Sequence, residues 1–118
     1  MIYLASPYSD PDPAVKQARY EATVRAVGAL ISRGETVYSP IVSSHPVALA
    51  CDLPGNWAYW ERVDREFIRR CDRVLVLTLP GWRRSKGIAA EVAYARELGM
   101  PVDFLSVKHK VLKNSQQA

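Results

Sequence analysis

Two acidic side chains sit where the surrounding sequence calls for apolar ones. In Ser85-Lys86-Gly87-Ile88-Ala89-Ala90-Glu91-Val92-Ala93-Tyr94-Ala95, positions 88, 91, 92 and 95 share one helix face at i, i+3, i+4, i+7 spacing. Glu91 therefore falls inside an apolar stripe. Local roles do not absorb it: a capping box opened by Ser85 would place its acid at Ile88, and neither Gly87 nor Ala95 offers an i,i+4 cation. The same pattern recurs in the helix expected from about Trp57 to Cys71, where Trp60, Val63, Phe67, Ile68 and Cys71 form the stripe and Asp64 lies on it. A carboxylate in such a place is expensive unless it is paired or has a task. For Asp64 an internal salt bridge to an arginine is the competing role.

Two inward carboxyls suit glycosyl chemistry, in which positive charge develops on a sugar carbon. One ionised acid attacks or stabilises the anomeric carbon while the other protonates the leaving group, a logic that extends from O-glycosides to an N-glycosidic bond. Closeness to a helix N-terminus favours an ionised Glu91 as the nucleophile. Asp64, among Trp60, Phe67 and Ile68, has the setting of a general acid with a raised pKa. Ser85 and Gly87 open the Glu91 helix and offer a hydroxyl and unpaired backbone N–H groups to an anion, or simply cap the helix. Arg83, Arg84 and Lys86 surround that turn with positive charge. Trp57, Tyr59, Trp60 and the loop residue Trp82 supply flat faces for stacking or for a pocket wall.

The elements that must carry these groups alternate along the chain. Met1 to Ala5 is a short apolar run stopped by Ser6-Pro7, a buried first strand. A helix follows to Arg33, with Asp12 as N-cap, Pro13 at the first helical position and Gly34 after its end. Glu35 to Ser39 is the second strand. Pro40 to Asn56, with three prolines and Gly55, reads as the longest irregular stretch, with a helical turn over Val47 to Cys51; His45 within it reads as a loop hydrogen-bonder. After the Asp64 helix, Arg73 to Thr78 is the clearest strand, central and parallel by its continuous apolar character. The Glu91 helix ends at Gly99, and Val102 to Ser106 is a fourth strand.

This order predicts an α/β fold: a flavodoxin-like or Rossmann-like doubly wound parallel sheet of four to five strands, in one domain over residues 1–107, with right-handed crossovers. Lys108 to Ala118 is expected as a polar, basic tail, frayed or docked on a partner. Ligands of such sheets bind at the carboxyl ends of the strands, which gathers Ser6, Tyr8 and the turn from Gly81 to Gly87.

At 118 residues there is no room for a separate substrate domain. A hydrophobic share of 48% and a charged share of 24% are those of an ordinary soluble protein, and no membrane span or secretory leader is visible, so a cytoplasmic protein is expected. The net charge of +4, without an aromatic-interleaved basic stripe, favours a small anionic ligand over a nucleic acid polymer. Cys51 and Cys71 are too far apart for a metal knuckle and read as reduced packing residues; no metal or organic cofactor is indicated.

The chain also resembles a known superfamily, the nucleoside 2-deoxyribosyltransferases and their relatives the nucleoside 5′-monophosphate N-glycosidases. The resemblance spans most of residues 1–103. It rests on Ile2-Tyr3-Leu4-Ala5-Ser6-Pro7-Tyr8, on Asp64 followed by Asp72, and on Ser85-x-Gly87-x-x-x-Glu91-x-x-x-Ala95. An uncharacterised branch carrying Pro-Gly-Trp-x-x-Ser-x-Gly looks closest. The resemblance implies Glu91 as a nucleophile forming a glycosyl-enzyme, Asp64 as the group that handles base protonation, and Tyr3 as the residue positioning Glu91. It implies Ser85 at the 5′-phosphate; a serine where the transferases carry an acid favours hydrolysis of a nucleotide. Apart from the resemblance, their places at the strand ends and around the helix-opening turn make Ser6, Tyr8, Trp82 and Gly87 further candidate substrate contacts. The resemblance implies a homodimer or higher homo-oligomer. Two other readings stand beside this one: base transfer between sugars, and a nucleotide sensor that binds without turnover. A structural role, with the acids in intersubunit salt bridges, is a third.

Overall fold

The structure, a computed structural model, describes residues 1–113. Its elements run β1 (Ile2–Ala5), α1 (Pro13–Ser32), β2 (Val37–Tyr38), α2 (Pro40–Cys51), α3 (Trp57–Arg69), β3 (Arg73–Leu77), a 3-10 turn (Trp82–Arg84), α4 (Lys86–Glu97), β4 (Val102–Leu105) and β5 (Val111–Leu112). The strands form one five-stranded sheet in the order β2-β1-β3-β4-β5. All pairs are parallel except β4 with β5, which is antiparallel. Register is set at the centre by Tyr3 beside Val74 and Leu4 beside Leu75.

Helices cover both faces, so the central strands are buried throughout and read as unbroken apolar runs. Side-chain alternation divides them. Ile2, Leu4, Leu75, Leu77 and Leu105 face α1 and meet its Ala26 and Leu30. Tyr3, Ala5, Val74, Val76 and Phe104 point the other way, toward Ile68 of α3 and Ile88 and Ala95 of α4. The helix starts follow their caps: Asp12 accepts from Ala14 N with Pro13 in the first turn, Asn56 accepts from Tyr59 N, and Ser85 accepts from Ile88 N.

Two segments differ from the sequence-based expectation. The stretch from Pro40 is helix to Cys51, because Ser39 caps it by accepting from Val42 N and Pro40 occupies the first helical position, where a missing N–H is harmless. Pro46 lies inside this helix, and Asp52 ends it in the left-handed conformation, φ 54°. The segment after Val107 is not all tail: a turn through His109 (φ 64°) brings Val111 and Leu112 back beside Leu105 and Phe104 as β5. The rest of the expected tail, residues 114–118, lies outside the described residues. No helix among the described residues is long and apolar enough to cross a membrane.

Candidate active site

A cleft of about 670 Å³ opens at the carboxyl edge of the sheet, between the loop after β1 and the loop after β3. Asp64 and Glu91 both line it. They arrive from different helices on the same side of the sheet. On α3, Ile68 enters the core, and Asp64, one turn earlier on that face, reaches the cleft. On α4, Glu91 lies between Ile88 and Ala95 in the buried stripe, a full turn beyond the helix start. Both acids are buried, at 7% and 4% exposure, although the sequence offers arginines nearby on α3. Those arginines pair elsewhere: Arg65 with Glu61, and Arg69 and Arg70 with Glu66. Asp64 accepts no hydrogen bond or ion pair among the described residues, which leaves its carboxyl to the cleft.

Among the described residues Glu91 has one hydrogen-bond partner. The Tyr3 hydroxyl, from the wholly buried centre of β1, donates to Oε2 of Glu91. Tyr3 itself stands behind the acid rather than in the cleft wall, with Tyr38 beside it at 5.8 Å between ring centroids. Burial raises the Tyr3 phenol well above its ordinary pKa, and the negative fields of Glu91 and Asp64 add to this, so it remains a donor.

Burial pushes Glu91 up to about 8; the Tyr3 hydrogen bond opposes this, and the nearby Asp64 charge reinforces it. Burial also pushes Asp64 up to about 7. Burial thus opposes the expectation that the helix N-terminus keeps Glu91 ionised. Dipole effects fade within the first turn, and Glu91 lies past it in a desolvated position, so burial wins. Two interacting carboxyls titrating near 7 and 8 hold between one and two protons at pH 7 and share a single proton between those two values.

Ser6, Tyr8, Ser85 and Gly87 line the same cleft. Ser6 is buried, its Oγ 3.3 Å from Thr23 Oγ1. Ser85 Oγ caps α4 by accepting from Ile88 N at 3.1 Å, which leaves its own O–H free to donate. The amides of Lys86 and Gly87 have no acceptor among the described residues, so the turn presents N–H groups at a helix start. A β-carbon at Gly87 would meet only Ser85 Oγ, at 3.8 Å; packing does not demand glycine there, and its absence of a side chain keeps the cleft open.

Trp82 is not brought to this cleft. Its ring lies 5.3 Å from Phe104 on the core side, with the Arg83 guanidinium over it at 4.8 Å, and it borders a separate shallow recess. The aromatic walls are instead Tyr8, Trp57 and Trp60, the last fixed by its Nε1 donating to Pro54 O at 2.6 Å. Tyr8 is held in turn. Its hydroxyl donates to Nδ1 of His45 at 2.5 Å, while Nε2 of His45 donates to Gln17 Oε1 at 3.0 Å. Burial and the Lys16 charge lower the His45 pKa, which keeps the ring neutral and in this tautomer. His45 is therefore a buried hydrogen-bonder, on a helix rather than a loop.

Sequence reasoning missed Arg19. It lines the cleft from α1, and its guanidinium donates to the carbonyls of Ser9, Tyr8 and Pro80. Neither spacing nor charge pattern signals such partners, since they are backbone groups distant in sequence. With Arg84 and Lys86 it gives the rim positive charge, against which Asp10 is the acid on the same rim. Among the described residues there is no cluster of three or more side chains able to hold a metal ion.

A family model described as a domain of unknown function, DUF1937, matches residues 1–107. No curated protein matches the chain.

Proposed function

This chain belongs to the DUF1937 family, and we propose that it hydrolyses the N-glycosidic bond of a nucleoside 5′-monophosphate. The observation that carries this reading is the pair of buried carboxyls facing one cleft, Glu91 backed by a tyrosine hydroxyl and Asp64 with no protein partner among the described residues. The strand order is that of flavodoxin-like sheets, whose ligands sit where the order reverses, beside the first strand; this supports a nucleotide in this crevice. It also agrees with the resemblance to nucleoside 2-deoxyribosyltransferases and nucleotide N-glycosidases, which implies a homodimer or higher homo-oligomer as the working unit.

In this mechanism the Glu91 carboxylate attacks the anomeric carbon. The C–N bond breaks with its electron pair going to the base nitrogen, and Asp64 delivers a proton to the base. Asp64, now ionised, accepts a proton from water, whose oxygen displaces Glu91 from the sugar and restores both acids. The reaction needs the shared proton on Asp64 and not on Glu91. The Tyr3 hydrogen bond and the positive charge developing on the sugar both favour that arrangement, against the burial that favours a protonated Glu91. The free amides at Lys86 and Gly87, the Ser85 hydroxyl and the cationic rim suit the phosphate, and Trp57, Trp60 and Tyr8 suit the base.

The test is chromatographic detection of free base after incubation with a panel of ribo- and deoxyribonucleoside 5′-monophosphates. Base release that falls about a thousandfold or more in Glu91→Gln is expected. Release retained by that variant would refute the assignment. Tight nucleotide binding without any release would favour the sensor reading.

A further inference from the structure

The two loops that border the cleft belong to opposite faces of the sheet: the one after β1 leads to α1 and the one after β3 leads to α4. Strand pairing holds their roots together but not their tips. One side chain reaches both tips. Arg19 Nη1 donates to Ser9 O at 3.0 Å and to Tyr8 O at 3.4 Å, and its Nη2 donates to Pro80 O at 3.4 Å. No carboxylate pairs with this guanidinium among the described residues. A carbonyl of the helix's own next turn does not anchor it either; rather Arg19 O accepts from Thr23 Oγ1 at 2.7 Å, fixing the backbone from which it reaches.

Gly81 is shaped to the same contact. Its φ of +91° is one that residues with a side chain rarely adopt, and a β-carbon there would stand 2.8 Å from Arg19 Nη2. The Pro-Gly-Trp turn thus passes close against the planar fork: the positive φ calls for glycine, and a β-carbon there would push the Arg19 fork from its place. An ammonium could supply charge at this place but not donors in two directions from one rigid plane.

We propose that Arg19 is the positioning residue of the cleft, a clamp that ties the loop after β1 to the loop after β3 and so sets the gap between Tyr8 and Ser85 into which substrate enters. The proposal rests on the glycosidase reading for its kinetic consequence only; the clamp itself is a property of the free protein. Because reacting atoms must approach within a few tenths of an ångström of a productive geometry, loosening the gap should lower the rate of the bound complex more than binding.

Amide hydrogen exchange followed by mass spectrometry tests it on the full chain without substrate. Arg19→Lys should raise exchange about tenfold in both the peptide covering residues 8–12 and the one covering 81–85, and Gly81→Ala should do the same from the other side of the contact. The double variant should be no looser than either single one, as expected for two changes acting through one contact. Arg25→Lys, an exposed change on the same helix, should move neither peptide. In base release, both single variants should lose about tenfold in kcat at nearly unchanged KM. Exchange that rises in one loop alone, or in neither, would overturn the clamp. So would a rise in KM confined to phosphorylated substrates with both loops unchanged, which would make Arg19 an anion ligand. If the unmodified protein releases no base, the glycosidase reading falls while the exchange result still decides the clamp.

Discussion

The two faces of the sheet are built from the same strands and solve the same packing problem differently. Toward α1, Ile2, Leu4, Leu75, Leu77 and Leu105 close against Ala26 and Leu30 with no ionisable group in the cluster. Toward α3 and α4 the alternate residues form an equally buried cluster, yet a tyrosine stands in the middle of β1 and two carboxyls flank it. The first face is covered mainly by aliphatic packing, with the hydrogen-bonded Thr23 of α1 as a buried polar exception. The acids on the second face are the groups to which the proposed chemistry is assigned, and their raised pKa values record what their burial costs.

Several changes would break or sharpen that contrast. The largest is expected on the acidic face: Asp64→Asn should reduce base release by about 10²–10³-fold, as for loss of a general acid, with the deficit shrinking for bases that leave easily without protonation. A uniform deficit across leaving groups would argue that Asp64 does not protonate the base. Next comes Tyr3→Phe, expected to lower kcat by roughly tenfold. Because the Tyr3 hydroxyl lowers the Glu91 pKa, its removal should move the limb of the pH–rate profile that reports Glu91 ionisation to higher pH; a shift to lower pH, or none, would contradict the contact. The smallest effect on activity belongs to the other face. Leu4→Ala should destabilise the protein by about 3 kcal/mol through the cavity it leaves, while kcat/KM measured below the melting range stays unchanged. A large kinetic effect from Leu4→Ala would mean that the two faces are not separable.

The acids themselves were legible in the sequence because helical periodicity is a strong signal and a carboxylate inside an apolar stripe interrupts it. The limits of α1 were legible for a similar reason, since Asp12, Pro13 and Gly34 each have a specific place at a helix end. What failed involved residues whose meaning depends on position. Three prolines and Gly55 suggest an irregular stretch from Pro40 to Asn56, whereas a proline just after a capping serine starts a helix. Trp82 was placed in the cleft because a tryptophan in a loop has no periodicity to assign it a side; the 3-10 turn directs it onto Phe104. Arg19 left no trace at all, because its partners are carbonyls brought near only by the fold. The rise in the Glu91 pKa is not legible in the sequence, which shows how near a helix start lies but not how completely water is excluded.

Equilibrium urea unfolding of the unmodified protein and Glu91→Gln across pH tests the central claim most directly, since it needs no substrate. An acid whose pKa is raised on folding binds its proton more tightly in the folded chain, so its burial is harmless below its ordinary 4.5 and grows costly as pH rises through about 8. The two proteins should be similarly stable near pH 4. By pH 8.5 Glu91→Gln should be the more stable, by about 4–5 kcal/mol, with the gap opening between those limits. A variant that is less stable at pH 8.5 would mean that the Glu91 carboxylate holds the fold together, and the contrast between the two faces would lose its functional meaning.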